Sequence, residues 1–264
     1  MRLMSWNIGI KIDNTEKVLG FLKENQCDIL AFQEALEAKN DQAFAMYRSK
    51  NDIDDQLSGE YPYSAFAPIW GAEEITKDGA THRDFGGFVE QGSLILSKYQ
   101  IRDYQNQFYY SNYDKPGFDA TNFEKDDHAR SIQNVVFDIG GKAMRVINVH
   151  GIWNEGKVGD DRTLKQCQFI VDKALEGDLP VIIVGDFNLL PSSESIELMN
   201  KHFRNLVVEN GIKSTRPVFD DGRDNGGIVC DYIFVNDKIS VGMFEVVEND
   251  ISDHMPLILD FELA

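Results

Sequence analysis

Apolar and polar positions alternate along the chain in short runs, a pattern that predicts strands with few helices between them. Arg2 to Ile8 reads as a strand, as do Asp28 to Gln33, Pro62 to Pro68, Ser93 to Ser97, Ile132 to Asp138 and Ala143 to His150. Val181 to Gly185 is apolar throughout, so it is expected in the middle of a sheet with both faces covered. Tyr232 to Val235, Val241 to Val247 and Pro256 to Phe261 complete the set. Two stretches carry the helical period. Asp13 to Asn25 puts Val18, Phe21 and Leu22 on one face, with Asp13 and Glu16 in capping-box spacing. Asp160 to Glu176 has a stripe of Leu164, Cys167, Val171, Ala174 and Leu175, an acidic pair at its start and Gly177 just past its end. Many strands and few helices predict sheets packed face to face, with helices outside.

A chain of 264 residues with no internal repeat and no Pro- or Gly-rich linker is expected to form one domain, 1–264. Two stretches look like excursions from it. Residues 71–92 are polar and Gly-rich. Residues 104–128 are long, acidic and aromatic, with Tyr104, Phe108, Tyr109, Tyr110, Tyr113, Phe118 and Phe123. They read either as a packed hairpin or as a binding wall.

Composition excludes several classes. A hydrophobic share of 42% and a charged share of 27% are those of a globular core, not of a disordered or coiled-coil chain. The net charge of −18 argues against gripping nucleic acid or an anionic membrane by overall charge. A local basic patch or a metal ion is still able to do that work. Cys27, Cys167 and Cys230 are far apart and odd in number, so they read as buried free thiols of a reducing compartment. No apolar run is long enough to span a bilayer, and Arg2, Ser5 and Asn7 break the N-terminal apolar character that a signal peptide needs. A cytoplasmic protein with no stable membrane insertion and no obligate protein partner is the expectation.

Chemistry enters at the strand ends, where polar residues of one kind recur. Asn7 ends the first strand and Glu34 the second. Asn148 and His150 end Val146-Ile147-Asn148-Val149-His150, and Asp186 and Asn188 end Val184-Gly185-Asp186-Phe187-Asn188. Asp231 opens Asp231-Tyr232-Ile233-Phe234, and Asp253 and His254 precede the last strand. Strands place their ends rigidly, and sheet edges are where ligands bind in α/β proteins. Carboxylates are hard oxygen ligands for Mg²⁺ or Mn²⁺, and a free carboxylate can take a proton from water. Histidines can stabilise a developing oxyanion or protonate a leaving group, and amides orient such groups without adding charge.

This ordered set, from Trp6-Asn7 to Asp253-His254, resembles the endonuclease/exonuclease/phosphatase superfamily of metal-dependent phosphoesterases, which includes pancreatic deoxyribonuclease, abasic endonucleases and neutral sphingomyelinases. The resemblance implies an α/β (α+β) fold, a four-layered sandwich of two packed mixed β-sheets with helices on the outer faces. It implies Glu34 as the main metal ligand with Asn7 beside it, and Asp186 as the group that activates the attacking water. Asn188 would help to hold the phosphate. His254 would contact phosphoryl oxygens, with Asp253 orienting it or joining the metal shell. His150 would stand near the leaving group, as in the deoxyribonuclease and sphingomyelinase branches. Asp231 is either structural or metal-adjacent. Arg130 reads as a phosphate-side base or as an ordinary salt-bridge partner. Asn148 and Trp153 are further candidates for the substrate side.

The expected activity is a Mg²⁺- or Mn²⁺-dependent phosphodiesterase or nuclease acting through Asp-activated water. The alternative is a small-molecule or lipid-headgroup phosphatase or phosphodiesterase, and a remote one is a non-catalytic module of the same fold. From Gly71 to His128 there are six Lys or Arg against eleven Asp or Glu, a poor surface for a nucleic-acid backbone. The expected partner is therefore a phosphoester, either nucleic acid or a small phosphorylated molecule.

Overall fold

Two six-stranded sheets face each other across the core. The computed structural model describes residues 1–9, 15–77, 80–113, 128–218 and 227–264. In chain order the first half holds β1 (Arg2–Asn7), α1 (Thr15–Glu24), β2 (Ile29–Ala38), α2 (Ser49–Leu57), β3 (Tyr63–Lys77), β4 (Ala80–Ser97), β5 (Ile101–Tyr110) and β6 (Arg130–Ile139). The second half holds β7 (Lys142–His150), α3 (Asp161–Leu175), β8 (Val181–Asp186), α4 (Glu194–Asn200), β9 (Arg204–Asn205), α5 (Leu206–Glu209), β10 (Asp231–Val235), β11 (Ile239–Val246) and β12 (Leu257–Leu263).

One sheet runs β11-β12-β1-β2-β4-β3 and the other β5-β6-β7-β8-β10-β9. Each is mixed in the same way. The central pairs β1–β2 and β7–β8 are parallel, and they are flanked by antiparallel neighbours. A parallel pair needs a crossover, which α1 supplies in the first sheet and α3 in the second. The C-terminal ends of both parallel pairs therefore lie at one edge of the sandwich. They carry Asn7, Glu34, His150 and Asp186.

Side chains alternate along β1 and β2. Leu3, Ile29 and Ala31 join the large core cluster shared with the second sheet, whereas Met4, Trp6, Leu30 and Phe32 pack on the other face with Val18, Leu22, Ile53 and Leu57 of α1 and α2. On the second sheet, Cys167, Ile170, Val171 and Ala174 of α3 and Ile196 and Met199 of α4 are buried in the large cluster. The order helix, sheet, sheet, helix is the expected four-layered sandwich. Asp160 starts α3 with a capping box: its Oδ1 accepts from the amides of Arg162 (2.9 Å) and Thr163 (3.1 Å), and its own amide donates to Thr163 Oγ1 (2.9 Å). Among the described residues no helix is long and apolar enough to cross a membrane. All three cysteines are buried and free.

The supposed excursion at 71–92 is ordered pairing. It continues β3 and β4 outward as a long hairpin with register shifts after Pro68, Ala72 and Ile75. In the second stretch, Tyr104 to Tyr110 belong to β5, an edge strand paired with β6. Residues 114–127, including Phe118 and Phe123, lie outside the described residues, as does the Asp13 cap of the first helix.

Candidate active site

The chain geometry at three strand ends is unusual, and each irregularity delivers a site residue. A bulge in β2 between Phe32 and Ala35 turns Glu34 into the left-handed region (φ 61°), which a non-glycine residue adopts only when its surroundings hold it there. Asn188 is held in the same region (φ 56°) just past β8. Between them, Gly185 has φ 132°, and a Cβ there would lie 2.0 Å from the Val149 carbonyl oxygen of β7. Only glycine allows β8 to approach β7 this closely, which sets His150 directly opposite Asp186 in the parallel register.

Asn7 ties the two sheets together at this edge. Its Nδ2 donates to Glu34 Oε1 (3.1 Å) and to Asp186 Oδ2 (3.2 Å), and its Oδ1 accepts from the amide of Gly9 (3.0 Å). Through its Nδ2, Asn7 thus links two carboxylates across the sheets. Asp186 is buried, and its Oδ1 also accepts from the Asn188 amide (2.8 Å). Burial would raise the Asp186 carboxyl, but the charges of His254, Lys157 and His150 and the Asn188 amide outweigh it and hold the group at about 2.

His254 is buried between two carboxylates. Its Nδ1 is 2.9 Å from each oxygen of Asp231, and its Nε2 is 3.5 Å from Asp186 Oδ2. Burial favours the neutral ring, yet Asp231 and Asp186 together raise its pKa well above the ordinary histidine value. Arg216 Nη1 lies 2.7 Å from His254 Nε2 and Nη2 lies 2.5 Å from Asp253 Oδ2. The first of these is a hydrogen bond only while Nε2 is bare. Protonation of Nε2 gives up that contact and turns an Nε2–H toward Asp186 Oδ2. Asp231 is further fixed by Thr215 Oγ1 (2.6 Å).

His150 behaves oppositely. Burial and the nearby Arg130 charge push it down to about 3, so it is neutral. Its Nε2 stands 3.6 Å from Glu34 Oε1. Arg130 is buried at the start of β6, across from Tyr110. Asn188 donates through Nδ2 to the Gly151 carbonyl (3.3 Å) and accepts from Lys157 Nζ through Oδ1.

One candidate, Asn148, falls elsewhere. Asn148 is fully buried between the sheets, where its Oδ1 accepts from Gln33 (2.7 Å) and its Nδ2 donates to Gln133 Oε1 and to the Phe32 carbonyl (both 3.0 Å). Every polar atom of its side chain is occupied beneath the site, so it does not face substrate. Trp153 is exposed on the loop that follows β7.

The carboxylates of Glu34 and Asp253 form the open side. Burial, then the Asp253 charge, lifts the Glu34 carboxyl above its usual range, against the Asn7 hydrogen bond and the His254 charge. Two like charges sharing a mouth, both hard oxygen donors, fit a cation such as Mg²⁺ or Mn²⁺. The tighter cluster of Asp186, Cys230, Asp231 and His254 fits one poorly. There burial holds the Cys230 thiol up at about 11, and Asp231 is already shared by Thr215 and His254.

Sequence reasoning missed Lys157 and Arg216. Both lie on loops with no strand-end signature: Lys157 in Asn154-Glu155-Gly156-Lys157 and Arg216 in Ser214-Thr215-Arg216-Pro217. An overall charge of −18 hid them, since two cations among many carboxylates leave no run to notice.

A profile of the endonuclease/exonuclease/phosphatase family matches residues 4–254, and the chain belongs to that family. Solved structures share the fold. The endonuclease/exonuclease/phosphatase from Beutenbergia cavernae DSM 12333 superimposes with a TM-score of 0.73 at 16% identity, over 100% of this chain and 71% of that one. The family protein from Bacteroides vulgatus gives 0.68 at 20% identity, over 100% and 98%. The mannosyl-6-phosphatase Bt3783 of Bacteroides thetaiotaomicron VPI-5482 gives 0.64 at 15% identity, over 100% of both chains. No curated protein matches the sequence.

Proposed function

We propose that residues 1–264 act as one domain that hydrolyses phosphoesters with Mg²⁺ or Mn²⁺ and a water molecule directed by Asp186. The observation that supports this most is the Asn7 amide, which joins Glu34 and Asp186 at 3.1 and 3.2 Å and so couples a cation-binding carboxylate to an ionised one across two sheets.

Glu34 and Asp253 would hold the cation, which supplies charge neutralisation at the phosphoryl oxygens and a lower pKa for water. Asp186 orients the attacking water. At a pKa of about 2 it is a weak base, so it takes the proton only as the new P–O bond makes that oxygen acidic. Asn188 steadies the phosphate through its side-chain amide. His254, fixed by Asp231 and protonated, donates to a phosphoryl oxygen as charge builds there. His150 is neutral and serves as a hydrogen-bond donor beside the leaving oxygen rather than as an imidazolium.

A panel of phosphoesters covers the substrate range: plasmid DNA, an abasic oligonucleotide, sphingomyelin, inositol phosphates, p-nitrophenyl phosphate and bis-p-nitrophenyl phosphate. Each is assayed with Mg²⁺ or Mn²⁺, for the native chain and for Asp186→Asn. The reading requires hydrolysis of at least one, abolished by EDTA and by the substitution. No turnover of any member with either metal contradicts it.

A further inference from the structure

Just past β7, Gly151 and Ile152 share a peptide group that has a side-chain partner at each end. Its carbonyl, that of Gly151, accepts from Asn188 Nδ2 (3.3 Å), and its N–H, that of Ile152, donates to Gln166 Oε1 (2.8 Å). The Gly151 amide in turn donates to the Asp186 carbonyl (2.7 Å). A Cβ on Gly151 would lie 2.4 Å from the Phe187 carbonyl oxygen, so only glycine lets this turn sit so close to the end of β8. Gln166 comes from α3 and is fully buried. Its oxygen also accepts from the Tyr109 hydroxyl (3.1 Å), which lies 3.5 Å from the His150 carbonyl.

The Ile152 amide can only donate, which fixes the Gln166 side chain with its oxygen toward the turn. Gln166 Nε2 is then buried with no hydrogen-bond partner among the described residues. Pairing one backbone N–H while leaving a side-chain nitrogen unpaired brings little net stability. What the glutamine supplies is orientation. We infer that Gln166 is a positioning residue for Asn188, acting through the Gly151–Ile152 peptide. With its N–H held by Gln166, that peptide plane cannot turn, so the Gly151 carbonyl keeps one hydrogen of Asn188 Nδ2 and the second is aimed outward to a phosphoryl oxygen. Lys157 Nζ on Asn188 Oδ1 fixes which way round the amide sits. Hydrogen bonds at the two ends of one peptide also polarise each other, so loss of the Gln166 bond weakens the grip on Asn188. This rests on the phosphoesterase reading above and adds a residue to it that touches neither cation nor substrate.

Proton–nitrogen correlation spectra of the isotopically labelled full chain test this without turnover. The Asn188 Nδ2 resonances should shift in Gln166→Met and return close to their native positions in Gln166→Glu, which keeps an oxygen opposite the Ile152 amide. Ile170→Ala removes buried packing from the same helix and should leave those resonances in place, which separates orientation from a general loss of stability. Gln166→Asn withdraws the oxygen by one methylene and should give the same shift where the methionine variant does not fold. Kinetics then close a double-mutant cycle on a phosphoester that the native chain turns over. Gln166→Met should lower kcat/KM about tenfold in the native chain and less than about twofold in the Asn188→Ala chain. Unmoved Asn188 resonances, an equal shift in Ile170→Ala, or the same loss of kcat/KM in both backgrounds overturns the inference and leaves the phosphoesterase reading standing. Turnover of no phosphoester sinks that reading instead, and the Asn188 resonances still decide whether Gln166 sets that amide.

Discussion

The Nδ1 of His254 lies 2.9 Å from each carboxylate oxygen of Asp231, so the ring carries its proton there and turns Nε2 toward Asp186. Asp231→Asn keeps the shape and removes the charge that favours the imidazolium. It should lower kcat by about two decades, with KM little changed, because the missing interaction is one that strengthens in the transition state. Steady-state kinetics of this variant and of His254→Gln should give similar losses, and the double variant should lose little more than either. Fully additive losses would mean that the two residues work apart.

Metal dependence is expected to centre on Glu34. EDTA should abolish hydrolysis and Mg²⁺ or Mn²⁺ should restore it. Glu34→Gln should raise the metal concentration needed for half-maximal rate by about tenfold or more, since one hard anionic ligand is lost. Full activity of the native chain in EDTA excludes the assignment.

The layer beneath the site should matter for stability. Asn148→Leu removes partners from Gln33 and Gln133, and from the Phe32 carbonyl at the start of the bulge. Leaving such buried groups unpaired costs about 1–3 kcal/mol each. A fall in the denaturant midpoint is expected, together with weaker metal binding as the Glu34 bulge loosens. Unchanged stability would show that the layer contributes little.

Much of the fold was legible because apolar runs dominate the central strands. β8 is uniformly apolar, and its Gly-Asp-Phe-Asn end places Asp186 through a contact that only Gly185 permits. β5 and α2 were not legible. β5 is an edge strand with polar residues on much of its length, and α2 buries little beyond Ser49, Ile53 and Leu57. At the site, strand-end residues announced themselves. Lys157 and Arg216 did not, because their positions depend on how two loops fold back, which no periodicity encodes. Asn148 was misjudged for a related reason: a polar residue near a strand end looks the same whether it faces substrate or the opposite sheet.

Stability should fall with acid from two buried histidines. Burial and nearby positive charge push His128 down to about 2 and His150 to about 3. Both stay neutral in the fold, while the unfolded chain takes up protons near pH 6.5. Their contribution is therefore intact above about 6.5 and is lost as pH falls below it. His254 is shifted the other way, so its contribution is intact below about 6.5 and is lost as pH rises through its raised pKa. Thermal midpoints measured across this range should decline toward acid, and His128→Gln should flatten that decline. An unchanged acid slope in the variant would contradict the account.

Asp186 is the residue on which the proposed hydrolysis depends most directly. A base that ionises with an ordinary carboxylate pKa would give a rate rising with pH at the acid end. Against its burial, His254, Lys157 and His150 hold the Asp186 carboxyl below the usual carboxylate range instead, so that limb should lie further to acid. Asp186→Asn is nearly isosteric and removes both charge and basicity. The decisive measurement is kcat at saturating Mg²⁺ for the native chain and for Asp186→Asn, on whichever phosphoester the native chain turns over. A loss of about 10²–10⁴-fold with substrate binding and thermal midpoint close to native is the predicted result. Retention of more than about a tenth of the native kcat would contradict it, because a group that directs and deprotonates the attacking water contributes far more than that.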